Sequence, residues 1–138
     1  MPVQKPIIIL FACMQCSYTA LDLAGTLKIQ YDPIVRVVRV PCTGRVDIIH
    51  VLKAIVSGAD AVIVAPCHKG DCAYKLGNLA ADRRVRFVKE LLKELGLNPR
   101  RVQIHFVSAA EGAKIAEVIN QVAREVIEEI GPSPFRKV

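Results

Sequence analysis

Ile7-Ile8-Ile9-Leu10-Phe11-Ala12 is an unbroken apolar run, and Cys13-Met14-Gln15-Cys16 follows it without a spacer. A strand with one wet face would alternate apolar and polar side chains. A continuous run therefore marks a strand covered on both faces, as in parallel sheets. Working outward, Ala61-Val62-Ile63-Val64-Ala65 repeats the pattern, and residues 102–107 come close to it. Residues 35–40 differ, because Arg36 and Arg39 interrupt the valines. Unpartnered cations do not sit under a covering layer, so this strand belongs at a sheet edge.

The segments between the strands carry a helical period. In the third, Ala81, Val85, Val88, Leu92 and Leu95 form one stripe, with Asp82, Arg86, Lys89, Glu90, Lys93 and Glu94 facing water and Gly96 placed as a C-cap. In the fourth, Ile115, Val118, Ile119, Val122, Val126 and Ile130 point inward, Gly131-Pro132 stops the helix, and Ser108-Ala-Ala-Glu111 has the capping-box form. Helices over about 18–30 and about 46–57 are bounded by Asp32-Pro33 and Gly58. Four βα units with right-handed crossovers give an α/β fold: a three-layer open parallel sheet, flavodoxin-like, in strand order 2-1-3-4. Ligands of such sheets bind beyond the carboxyl ends of the strands where the order reverses, here the tips of strands one and three.

A chain of 138 residues with 52% hydrophobic and 23% charged residues supports one domain, 1–138, with a real core. The apolar run at residues 6–14 is about half the roughly 20 residues of a membrane span, so no transmembrane helix is expected. Leu10-Phe11-Ala12-Cys13 has the look of a lipoprotein cleavage box, but only Lys5 precedes it, and a cytoplasmic protein is expected. The formal charge of +6 favours acidic partners. Nucleic acid is not expected among them, because the chain has no Trp, 5% aromatic residues and no recognised nucleic-acid motif. No phosphate-binding loop follows any strand.

Five cysteines, an odd number, point in a reducing compartment to metal or redox chemistry, although hyperthermophile cytosols do tolerate disulfides. All lie at strand tips: Cys13 and Cys16 after strand one, Cys42 after strand two, Cys67 and Cys72 after strand three. Strands about 4.8 Å apart bring those three tips within roughly 10 Å. Positions distant in sequence thus converge on one patch holding more thiolates than a four-ligand site requires. Both C-x2-C and C-x4-C occur as spacings in iron-sulfur proteins. Gly44 and Gly70 leave room for close backbone approach, and Arg45, His68 and Lys69 add positive potential.

Other chemistries compete for these residues. Zinc accepts four thiolates, with His68 as a further donor. Cys13-x-x-Cys16 between strand and helix is also the context of a thiol-disulfide oxidoreductase or redox sensor, although that role leaves Cys42, Cys67 and Cys72 unused. Asp47 and Asp71 suit caps, His50 and His105 structural roles, and Tyr18 and Tyr74 either shield the site or simply pack at a helix start.

Taken together, Phe11-Ala-Cys13-Met-Gln-Cys16-Ser-Tyr18, Asp22-Leu-Ala-Gly25, Arg39-Val-Pro-Cys42-Thr-Gly-Arg-Val-Asp47, Cys67-His-Lys-Gly-Asp-Cys72-Ala-Tyr74-Lys-Leu-Gly77-Asn78, Arg83-Arg84-Val85 and Ser108-Ala-Ala-Glu-Gly112 resemble the delta subunit of methyl-viologen-reducing hydrogenase. The likeness spans nearly the whole chain. It implies a non-catalytic electron-transfer subunit with a [2Fe-2S] cluster held by four of Cys13, Cys16, Cys42, Cys67 and Cys72. The partners it implies are a nickel-iron hydrogenase or formate dehydrogenase and a heterodisulfide reductase, within a flavin-based bifurcating assembly. Arg83, Arg84 and Arg86 are then candidate docking residues. Two departures alter the cluster's surroundings: Met14-Gln15 stands where the family commonly has an aromatic residue, and Ala73 where a second His commonly follows the last Cys.

Overall fold

In the computed structural model, which describes residues 6–68 and 76–135, β1 (Ile8–Cys13) lies at the centre of a four-stranded sheet. It is flanked on one side by β2 (Val35–Val40) and on the other by β3 (Ala61–Ala65), with β4 (Val102–Ile104) outside β3. The order is 2-1-3-4 and every pairing is parallel, as expected. β1 faces Val35 and Ala61 at Ile8, and Val38 and Val64 at Phe11.

Alternate residues of the central strands feed two cores. Ile8, Leu10, Ala12, Ala61, Ile63 and Ala65 are buried beneath α1 (Ser17–Thr26) and α4 (Gly112–Glu125), which pack on each other. Phe11, Val62, Val64 and Val102 meet α2 (Ile48–Val56) and α3 (Gly77–Glu94) on the other face. Gly112 makes the first contact possible, since a Cβ there would lie 3.0 Å from the Ala24 backbone nitrogen. The result is the three-layer flavodoxin-like α/β fold, with β2 at the edge and its residues mostly exposed.

Boundaries move by a few residues, for local reasons. α1 stops at Thr26, short of the expected 30, because Lys28 takes a left-handed φ of 56°. The Lys28 and Ile29 amides then donate to the carbonyls of Gly25 and Ala24, a Schellman closure. Gly96, at φ +78°, closes α3 in the same way, with the Gly96 and Leu97 amides on Lys93 and Leu92. The stripe of α3 shifts at both ends: Leu95 is 69% exposed because it is already the C-cap, and Asp82, expected in water, is buried beside Arg86. β4 is formally three residues long, yet the His105 and Val107 amides still donate to Val64 and Pro66, so pairing runs on to the expected limit.

The amino ends of the strands are locked by a buried polar cluster. The Asp60 carboxylate, at 0% exposure, accepts from the Ile7 and Ser133 amides at 2.7 Å each. Arg101, also buried, donates to the carbonyls of Asp60, Gly131 and Pro132. Charge-assisted bonds of this kind offset the cost of desolvating both ions.

Candidate metal centre

The opposite, carboxyl pole holds the cysteines. Cys13 is the last residue of β1 and not, as expected, beyond it. A turn closed by the Cys16 amide on the Cys13 carbonyl (3.2 Å) places Cys16 at the N-cap of α1. Cys67 follows β3 after Pro66. These three side chains are nearly inaccessible, at 2%, 3% and 4% exposure, and their sulfurs lie within 4.8 Å of one another. Cys13 Sγ and Cys67 Sγ are 3.9 Å apart.

Two side chains hold this geometry. Ser17, fully buried, accepts from the Cys13 amide at 2.8 Å and donates to the Ala65 carbonyl at 2.7 Å, lacing the ends of β1 and β3 together. Asn78 at the start of α3 donates to the carbonyls of Cys67 and His68, at 3.1 and 2.9 Å. Both stand in the sequence as ordinary polar residues beside a cysteine loop or a helix start. Only their burial reveals the role.

Cys42 is buried next door but does not belong to the trio. It caps the 3-10 turn Thr43–Arg45, its sulfur accepting from the Gly44 amide at 3.4 Å, while the Cys13 thiol points at the carbonyl of Pro41, 3.7 Å away. Arg84 donates to the carbonyls of Gly44 and Val46, and Gly44 approaches α3 so closely that a Cβ would lie 2.8 Å from the Gly77 Cα. Cys72 lies outside the described residues, as do Lys69, Gly70, Asp71, Ala73 and Tyr74.

The thiols are electrostatically unequal. Cys13 is lowered to about 6, chiefly by the hydrogen bond from the Cys16 thiol and against the effect of burial, with the Gln15 amide and Cys67 adding to the lowering. Cys16, the donor in that bond, is pushed up, and burial reinforces the shift. Cys13 is thus the more readily ionised of the two.

His68 supplies no free positive charge, because Glu111 pairs with it. That pairing, with the Ser108 amide, holds the Glu111 carboxyl down at about 2. The capping box expected at residues 108–111 is therefore only half formed: Glu111 bonds back to the Ser108 amide, but α4 begins at Gly112 and Glu111 itself is the N-cap. Asp47 does cap α2, and His50 completes a capping box by accepting from the Asp47 amide through Nδ1. Tyr18 is half-buried against the α1/α4 core, with the Arg39 guanidinium 5.3 Å over its ring.

Thiolates about 2.3 Å from a shared tetrahedral ion would stand ~3.8 Å apart, close to the Cys13–Cys67 spacing. An all-sulfur, buried donor set of this kind selects soft-metal or iron-sulfur chemistry.

The family model described as methyl-viologen-reducing hydrogenase, delta subunit, matches residues 8–131. The chain belongs to that family. It is 50% identical over 131 residues to the vhu iron-sulfur subunit of the F420-non-reducing hydrogenase of Methanocaldococcus jannaschii, covering 95% of this chain and 97% of that one. Against the iron-sulfur subunit of the F420-non-reducing hydrogenase of Archaeoglobus profundus the identity is 46%, over 96% of both chains. The delta-subunit fold also recurs inside a larger protein. One subunit of the ferredoxin/F420H2-dependent CoB-CoM heterodisulfide reductase of Methanosarcina acetivorans is 43% identical over 94% of this chain, which spans 16% of that protein. Among the described residues, no helix is long and apolar enough to cross a membrane.

Proposed function

We propose that residues 1–138 form one non-catalytic electron-transfer domain of a cytoplasmic oxidoreductase complex, carrying a [2Fe-2S] cluster on four of Cys13, Cys16, Cys42, Cys67 and Cys72. The observation that carries this reading is the buried trio of sulfurs within 4.8 Å at the sheet's carboxyl pole. The names of the relatives support it. Several are iron-sulfur subunits of hydrogenases, and another is a heterodisulfide reductase subunit that contains a region like this chain. The domain would relay electrons between a hydrogenase or formate dehydrogenase and a heterodisulfide-reductase-type complex.

When bound, such a cluster supplies one-electron redox chemistry. The protein's own part is positional. Cys13, Cys16 and Cys67 offer three ligands, and a fourth comes from Cys42 or Cys72. Ser17 and Asn78 fix the two loops that bear the trio. Burial of the sulfurs excludes water, and backbone amides directed at sulfur, such as that of Gly44, stabilise added negative charge.

The unequal thiols of Cys13 and Cys16 favour a second reading, a thiol-disulfide exchanger, because a low first thiol is what attack on a disulfide requires. Cys67, 3.9 Å from Cys13, has no place in that chemistry. Anaerobic purification followed by iron and acid-labile sulfide analysis, with EPR of the reduced protein, decides between them. About two irons and two sulfides per chain and a one-electron signal are expected. Stoichiometric zinc, or a colourless protein titrating as a two-electron dithiol after reconstitution under argon, would overturn the proposal.

A further inference from the structure

Parallel sheets occur almost only with both faces covered. Here α2 packs on α3 and β3 and the core beneath them takes in Phe11 of β1, so the same face is left exposed only over β2 and at its border with β1. The opening is a groove of about 390 Å³. Its floor is apolar: Ile7 just before β1, Ile9 on β1 with the buried Phe11 beneath, and Val38 on β2, 41% exposed and in register with Phe11. Its edges carry two cations, Arg36 on β2 opposite Ile9 and Lys53 on α2, with the His50 ring beside Lys53 on the lining. Among the described residues, none that lines it is acidic.

An apolar floor between cationic walls is the complement of an amphipathic helix whose polar flanks are carboxylates. A second copy of this chain fits poorly, because each would bring the same cations and a net charge of +6. A flat anionic surface does not reach the floor of a concave groove.

We propose that this groove docks an acidic amphipathic helix of a partner protein, its apolar side chains against Ile9 and Val38 and its carboxylates against Arg36 and Lys53. The proposal goes beyond the electron-transfer reading and is independent of the sulfur site at the strand tips.

The test uses the full chain and an 18-residue helical peptide with leucines at i, i+3, i+4 and i+7 and glutamates elsewhere, followed by fluorescence anisotropy and amide NMR shifts. Expected are shifts centred on residues 7–11 and 36–38, and affinity lost roughly tenfold in Arg36→Glu/Lys53→Glu. The control Lys93→Glu/Arg124→Glu makes the same change in net charge on exposed positions of α3 and α4 and should lose less than about twofold. Thermal melts verify that both variants fold. Equal losses in the two variants, equal binding of a peptide with lysines in place of glutamates, shifts centred elsewhere, or self-association abolished by the groove reversal would each overturn the proposal.

Discussion

Ser17 shows how much of the site rests on side chains that perform no chemistry. Its hydroxyl satisfies one donor on β1 and one acceptor on β3, both buried. Ser17→Ala should cost about 2–4 kcal/mol in urea denaturation, because both groups are left unpaired. The same variant should also weaken metal capture by the apo protein, read from sulfur-to-cadmium absorption. At the opposite pole, Asp60→Ala removes the buried acceptor of two amides, for an expected loss of ~2–4 kcal/mol. The cysteines were legible in sequence because each follows a strand, and strand ends are fixed by the hydrophobic pattern. Ser17 and Asn78 were not, since a serine after a cysteine looks the same whether it faces solvent or bridges two strands.

Elements were read well where burial dictates composition and less well where single residues end them. β2 and β3 fall at the expected limits because Pro33, Pro41, Gly58 and Pro66 around them leave no latitude. α1 is shorter than its sequence suggests because its stop signal is Lys28, a residue with no intrinsic preference for positive φ. Lys28→Gly removes that strain and should stabilise the fold by about 1 kcal/mol, measured as a raised urea midpoint with unchanged slope. Gly44→Ala works in the other direction. A methyl group 2.8 Å from the Gly77 Cα must push the Cys42 turn off α3, costing about 1–3 kcal/mol. If Cys42 is a ligand, iron content should fall with it. The box at Ser108 forms only in half because α4 begins at Gly112 with Glu111 itself as the N-cap, and the pairing of Glu111 with His68, 43 residues away in sequence, is one that no local pattern encodes.

At the scale of the whole molecule, the titrations of His105 and Glu111 both make stability fall toward acid. His105 is lowered from 6.5 by burial, partly offset by Glu125, so the unfolded chain takes up its proton first and stability falls as pH drops below about 6.5. Glu111, held at about 2, adds stability that is complete above its ordinary 4.5 and is lost as pH falls from there toward 2. Urea midpoints across pH 3–7 should therefore decline in two stages toward acid, with His105→Gln flattening the upper stage and Glu111→Gln the lower.

The Asp60 carboxylate grips Ile7, just before the first strand, and Ser133, just after the last helix. Polypeptide therefore enters and leaves at a single pole, and the sulfurs occupy the other. A bead strung in this way can be threaded into a longer chain without anything crossing its sulfur-bearing end, which suits the relative from Methanosarcina acetivorans, of which this chain spans 16%.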